Sequence, residues 1–145
     1  MVHLRKITKE NLGAVLELKT TKEQEAYVST ATHSLAQAWV YRDTAYPFAI
    51  YDDDVLVGFV MMGFYEVKQQ YTLWKLLIDE RYQHRGYGRQ AVELAKQYLI
   101  DTFGVVEIYL GVHKDNAAAI RLYQSAGFTA TGETDGQQIE MKWVR

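Results

Sequence analysis

The stretch Leu73-Trp-Lys-Leu-Leu-Ile78, Asp79-Glu-Arg-Tyr-Gln83, His84-Arg-Gly86-Tyr-Gly88-Arg89 decides how this chain is read. The run Leu73 to Ile78 is apolar enough for a buried strand. Beyond the turn, Gly88, Val92, Ala95 and Leu99 recur at helical spacing up to Phe103. A strand that feeds a glycine-bearing turn and then a helix makes an anion site. The first N–H groups of the helix have no intrahelical partner, and the helix dipole adds partial positive charge there. Gly86 and Gly88 carry no side chain to hold a phosphate off the backbone, and Arg81, Arg85 and Arg89 surround the turn with cations. The stretch therefore predicts a phosphate-bearing ligand. It is not a Walker loop, which needs Gly-Lys-Ser/Thr, nor a dinucleotide fingerprint, which needs three glycines and a later acidic residue.

Outward from this centre, the bulk properties narrow the classes. A length of 145 residues predicts one domain, residues 1–145, with a sizeable core. A 48% apolar fraction with 23% charged residues fits a soluble globule. The formal charge of −2 argues against a general affinity for nucleic acid, which calls for a basic surface. Without cysteine the chain has no disulfide and no thiol nucleophile. No apolar run approaches a membrane span and no signal-peptide pattern opens the chain, so a cytoplasmic protein without a membrane partner is expected.

The elements follow in order. Val2 to Ile7 reads as a strand, and Thr8 as the N-cap of a helix carrying Leu12, Val15, Leu16 and Leu18. Glu23 to Ser29 and Ser34 to Val40 read as short helices, interrupted by Thr20-Thr21 and Thr30-Ala31-Thr32. Pro47 to Tyr51 and Val55 to Phe64 make a hairpin around Asp52-Asp53-Asp54, whose carboxylates suit a solvated turn better than a metal site. The second of these strands is apolar at both parities, which predicts burial on both faces. Glu66 to Gln70 turns the chain into the central strand. Glu107 to Val112 is a further strand, Asn116 to Ser125 a helix stopped at Gly127, and Phe128 to Thr134 with Gln138 to Val144 a last hairpin.

About thirty residues beyond the turn lies Asn116-Ala-Ala-Ala-Ile120-Arg-Leu-Tyr123-Gln-Ser-Ala-Gly127-Phe128. With Gln83-x-x-Gly86-x-Gly88, this order and spacing resembles the GNAT superfamily of N-acetyltransferases, which use acetyl-coenzyme A. The likeness covers nearly the whole chain. Ile78 to Gln83 and Ile120 to Gln124 look like the bacterial spermine/spermidine acetyltransferases within it. The resemblance implies an α/β (α+β) fold, with a mixed, mostly antiparallel sheet of about seven strands flanked by helices. Its fourth and fifth strands would splay to admit acetyl-CoA.

By the same resemblance, the cofactor would be held by the main chain of Leu76, Leu77 and Ile78, by Gln83, His84, Arg85, Gly86, Tyr87, Gly88 and Arg89, and by Asn116, Ala119 and Tyr123. Asn116 also reads as the cap of the helix it begins. Tyr123, alone a core aromatic, becomes in this motif the general acid, since a phenol near pKa 10 carries a proton at neutral pH. Glu23, Glu25, Tyr27, Glu66 and Trp74 are the acceptor-side candidates, and His113 is a further residue that would follow the fifth strand into that region. No histidine spacing makes a metal site.

One departure matters. Many members carry Asp or Glu nine positions before the glutamine, where this chain has Trp74 followed by Lys75. That leaves the general base unassigned, with Glu66 or Glu25 through water, or a water chain with no dedicated base, as the alternatives, and weakens the case for a polycation. The expected activity is acetyl transfer to a primary amine of spermidine or spermine. The alternatives are another amine (a peptide N-terminus, an amino acid, an aminoglycoside) or a non-catalytic acyl-CoA sensor. The resemblance also allows a homodimer through the exposed end of the C-terminal hairpin.

Overall fold

The computed structural model describes all 145 residues. Its elements are β1 (Val2–Lys6), α1 (Leu12–Leu16), α2 (Ala31–Val40), β2 (Ala45–Asp52), β3 (Val55–Tyr65), β4 (Gln70–Ile78), α3 (Tyr87–Phe103), β5 (Glu107–His113), α4 (Ala117–Ser125), β6 (Thr129–Asp135) and β7 (Gln138–Val144). Single 3-10 turns occupy Gln24–Ala26 and Glu80–Tyr82. All seven strands join one sheet in the order β1-β2-β3-β4-β5-β7-β6, with every neighbouring pair antiparallel except β4 and β5. The expected mixed sheet flanked by helices is therefore present.

The sheet is covered on both faces, which explains why β3 is apolar at both parities. Val60 and Met62 join a core with Val92, Ala95 and Leu99 of α3 and with Phe128 after α4. Phe59 and Met61 join a second core on the opposite face, with Val15 of α1, Ala31 and Ala38 of α2, and Leu77 of β4. No helix is long and apolar enough to cross a membrane.

An irregularity in β4 breaks this alternation. Met62 pairs with Leu73 while Met61 pairs with Lys75, so Trp74 is an extra residue bulged out of the ladder. A bulge puts two successive side chains on one face. Leu73 and Leu76 pack on the α3 side, whereas Trp74 packs against the α1/α2 core and Lys75 bonds Ser29 just before α2.

Three local expectations are corrected. Thr8 does not cap α1. The helix starts after Asn11, whose Oδ1 accepts from the Thr8 N–H at 2.8 Å. The helix expected over Glu23 to Ser29 shrinks to the single turn Gln24–Ala26. Thr30-Ala31-Thr32, read as an interruption, instead starts α2, because the Thr30 side chain accepts from the His33 N–H at 3.1 Å. The stop at Gly127 holds. Its φ is +94°, and the N–H groups of Gly127 and Phe128 bond back to the carbonyls of Gln124 and Tyr123, a Schellman ending.

Candidate active site

β4 pairs with β3 along its whole length, but only Thr72 and Tyr109 are in register across β4 and β5. Past that point the two parallel strands part, as the resemblance implied, and β5 is held instead by β7. A cleft of about 380 Å³ passes through the gap, lined by Trp74 to Ile78 on one side and Gly111 to His113 on the other. Where β5 has left, β4 has no second strand beside Leu76 to Ile78, although the Ile78 carbonyl is taken by Gln83 Nε2. These residues form an inward-facing sheet edge to which an extended ligand can add like a strand.

At the end of β4 the chain makes the turn from Gln83 to Gly88. His84 (φ +63°) and Gly86 (φ +82°) are left-handed, and α3 begins at Tyr87 with no side chain capping it. The N–H groups of Tyr87, Gly88 and Arg89 are thus left for an acceptor outside the helix. Gly88 has a second role, since a Cβ there would stand 3.2 Å from Leu122 Cδ2, closer than ordinary contact, and Leu122 would have to shift.

Most side chains of the turn are committed to the protein itself. Gln83 Nε2 donates to the Ile78 carbonyl (2.9 Å) and to Gln24 Oε1 (2.8 Å). The Tyr87 hydroxyl donates to Asp52 Oδ2 at 2.7 Å. Arg81 pairs with Asp79, and Arg89 with Glu93 and Ser125. Of the three arginines only Arg89 lines the cleft; Arg85 lies outside it, its guanidinium 5.7 Å from the Tyr82 ring centre. The ring of cations expected from sequence is therefore reduced to one residue, and the turn acts through its main chain.

α4 closes the same side. Asn116, buried, accepts from the Ala119 N–H at 3.3 Å and caps the helix while lining the cleft with Ala119 and Tyr123. The Tyr123 ring meets Phe128 edge-on at 6.0 Å. Burial pushes its phenol up to about 12, so it stays protonated at neutral pH. The hydroxyl has no protein partner, and as it is not a sealed, unpaired atom it opens on the cleft.

The opposite wall runs from Thr20 to Ser29 and is tied to the turn. The Lys19 N–H donates to Asp79 Oδ2, the Glu80 N–H to the Lys19 carbonyl, and Gln83 to Gln24. Burial opposes charge on Asp79, yet the bonds from Arg81 and from two backbone N–H groups outweigh it and hold the carboxyl below its usual range. Tyr27 reaches over to His113, ring centres 4.6 Å apart, so that the two rings pack together at the cleft wall. His113 Nδ1 accepts from the Asp115 N–H at 3.1 Å, which turns the Nε2 edge of the ring away from that bond. Lys75 Nζ donates to Ser29 Oγ at 2.9 Å, and burial lowers its pKa.

The structure places two of the five acceptor-side candidates on the cleft. Tyr27 and Trp74 line the cleft. Glu23 and Glu25 do not: Glu23 precedes and Glu25 sits within a single 3-10 turn, and both are exposed to solvent. Glu66 does not either, since it sits in the β3–β4 turn at the far end of β4. No Asp or Glu lines the cleft at all. Sequence reasoning missed Gln24, Ser29 and Gln138 as lining residues, and no local signal marks them. Lys75 was visible, but only the bulge shows where it points.

With this geometry in view, comparison with known proteins gives consistent answers. Residues 12–128 match the acetyltransferase (GNAT) family. The chain is 31% identical to a spermine/spermidine N(1)-acetyltransferase of Bacillus subtilis (strain 168), over 97% of both chains. A [ribosomal protein bS18]-alanine N-acetyltransferase of Salmonella typhimurium is 40% identical over a shorter span, 52% of this chain and 49% of that one. The crystal structure of spermidine N-acetyltransferase from Vibrio cholerae in complex with CoA and spermine superposes with a TM-score of 0.77 at 19% identity, covering 99% of this chain and 95% of that one, a likeness of fold. The chain belongs to the acetyltransferase (GNAT) family, enzymes that take their acetyl group from acetyl-CoA.

Proposed function

We propose that residues 1–145 form one acyltransferase unit that moves acetyl from acetyl-CoA to the amine nitrogen of a small acceptor by direct attack. The observation that carries this reading is a single cleft on which an unpaired edge of β4, an uncapped α3 N-terminus and the Tyr123 hydroxyl all open. These features fit the cofactor. The N–H groups of Tyr87, Gly88 and Arg89 would take its pyrophosphate, and the open edge of Leu76 to Ile78 its extended arm. Acetyl-CoA supplies the activated acetyl group as a thioester.

The chain's own residues do the rest. A β4 N–H directed into the gap stabilises negative charge on the thioester oxygen. As the new N–C bond forms and the C–S bond breaks, the Tyr123 hydroxyl would give its proton to the departing sulfur. The resulting phenolate would be reprotonated by the proton that the nitrogen loses on becoming an amide. The raised pKa of Tyr123 does not disable it, because the enclosure that raises the phenol also raises the basicity of a thiolate formed beside it. The wall from Thr20 to Ser29, pinned to the turn through Asp79 and Gln83, orients the acceptor.

For the acceptor, the name of the Bacillus subtilis relative supports spermidine or spermine. A second reading, an amine that is not a polycation, is favoured by the acid-free lining of the cleft. With no carboxylate base, the amine must arrive neutral. At pH 7 fewer than ~1 in 1,000 alkyl amines near pKa 10.4 are neutral, against about one in ten α-amines near 8. The test is coenzyme A release from acetyl-CoA with spermidine, spermine, a diamine, an aminoglycoside, amino acids and a short peptide. Saturable, acceptor-dependent release is expected. Tight acetyl-CoA binding with no release for any amine would overturn transfer and leave an acyl-CoA sensor.

A further inference from the structure

We infer that Lys75 forms an anion subsite in the acceptor half of the cleft, and that the natural acceptor is an amine that also carries a carboxylate. This rests on the acetyl-transfer reading above and narrows its substrate class. Position comes first. The bulge at Trp74 places Lys75 on the α1/α2 face, where the wall from Thr20 to Ser29 stands, and both Lys75 and Ser29 line the cleft.

Lys75 also lacks a counter-charge. Of the nine lysines, Lys19, Lys68, Lys96 and Lys142 each pair with a glutamate within 3.5 Å, and Lys6, Lys9, Lys22 and Lys114 stand exposed to water, so Lys75 alone is shielded without a carboxylate. Lys75 is half-buried and has only a hydroxyl, Ser29 Oγ, with the Trp74 ring centre 5.9 Å away. One of its three N–H donors is used, leaving two for a ligand. A buried ammonium without an anion is an unfavourable arrangement that a ligand carboxylate would relieve, whereas a second cation would aggravate it. The lowered pKa of Lys75, caused by burial alone, is the sign of that missing partner.

A polyamine carries several ammonium groups, and a site built for it needs acceptors; among the lining residues no carboxylate is found to meet them.

The test is steady-state coenzyme A release with matched acceptors: an ω-amino acid and its amide, a dipeptide and its C-terminal amide, and spermidine. The wild-type chain should favour each acid over its amide by roughly 10- to 100-fold in kcat/KM, as expected for one charge-assisted bond. Lys75→Met should raise KM for the acids by a similar factor and erase the preference, with kcat changed far less. Lys75→Glu should turn the preference toward spermidine. Coenzyme A affinity, titrated separately, checks that each variant is folded. Equal kcat/KM for acid and amide in the wild type, or a preference for spermidine over both, would overturn the carboxylate subsite while leaving acetyl transfer standing. No release from any acceptor would overturn the transfer reading, and the subsite with it.

Discussion

The two walls of the cleft are built in opposite ways. The wall formed by the Gln83–Arg89 turn presents mainly backbone, its side chains spent on internal bonds such as Tyr87 to Asp52 and Gln83 to Ile78, and α4 adds the Tyr123 hydroxyl to it. The wall formed by residues 20–29 with Trp74, Lys75 and His113 presents side chains on a segment with little secondary structure of its own. Main-chain groups are the same whatever the residue, so the first wall suits a fixed ligand. The second can change its chemistry one side chain at a time without disturbing the fold, which suits a varying acceptor.

Substitutions can break or sharpen this division. The largest effect is expected at Tyr123, where phenylalanine keeps the contact with Phe128 and removes only the proton. Turnover should fall about 10²- to 10³-fold with acetyl-CoA affinity nearly unchanged; unaltered turnover would take Tyr123 out of the mechanism.

Asp79 joins the two walls. Asp79→Ala leaves the N–H groups of Lys19 and Arg81 unpaired and should cost about 2–4 kcal/mol at pH 7, read by urea denaturation. The folded-state pKa of Asp79 is lowered, so its stabilisation is full above the ordinary value of 3.8 and is lost as pH falls through the lower folded value. Wild type and variant should therefore converge in strong acid, and a gap that persisted there would assign the cost to packing instead of charge.

Smaller effects are expected on the backbone wall alone. Gly86→Ala forces a side chain into a left-handed position at about 1–2 kcal/mol. It should weaken coenzyme A binding several-fold without changing the order of acceptors. If the order changed, the two walls would not be independent. Asn116→Ala removes a helix cap worth about 1 kcal/mol and should lower the melting temperature by a few degrees.

The same division explains what the sequence revealed. The backbone wall was legible because its demands fall on residue type: Gly86 where φ is positive, Gly88 where α4 comes close, Gly127 where α4 stops. Six of the strands were legible from hydrophobic pattern, whereas β6, mostly polar and exposed throughout, was legible only as the partner of β7 across the Asp135-Gly136 turn. The side-chain wall was not, because its geometry is set across the chain. Trp74 and Lys75 share a face only through the register of β4 on β3, which strict alternation along β4 does not contain. The segment 19–29 is held by Asp79 and Gln83, some sixty residues away. Glu23 and Glu25 were misplaced by assuming a helix where only one 3-10 turn forms. Thr30 shows the converse: the capping signal was in the sequence, but its β-branched neighbourhood read as a break.

The lone registered pair between β4 and β5 makes a seam in the middle of the sheet. Beyond it the two halves meet through helices, and a strand-like ligand would supply the missing rungs. Ligand and fold are then thermodynamically linked: at a hundred times its dissociation constant, such a ligand adds about 2.7 kcal/mol to stability. Hydrogen-exchange protection at the open amides of Leu76 to Ile78, and resistance to heat and proteases, should rise and fall with the supply of that ligand.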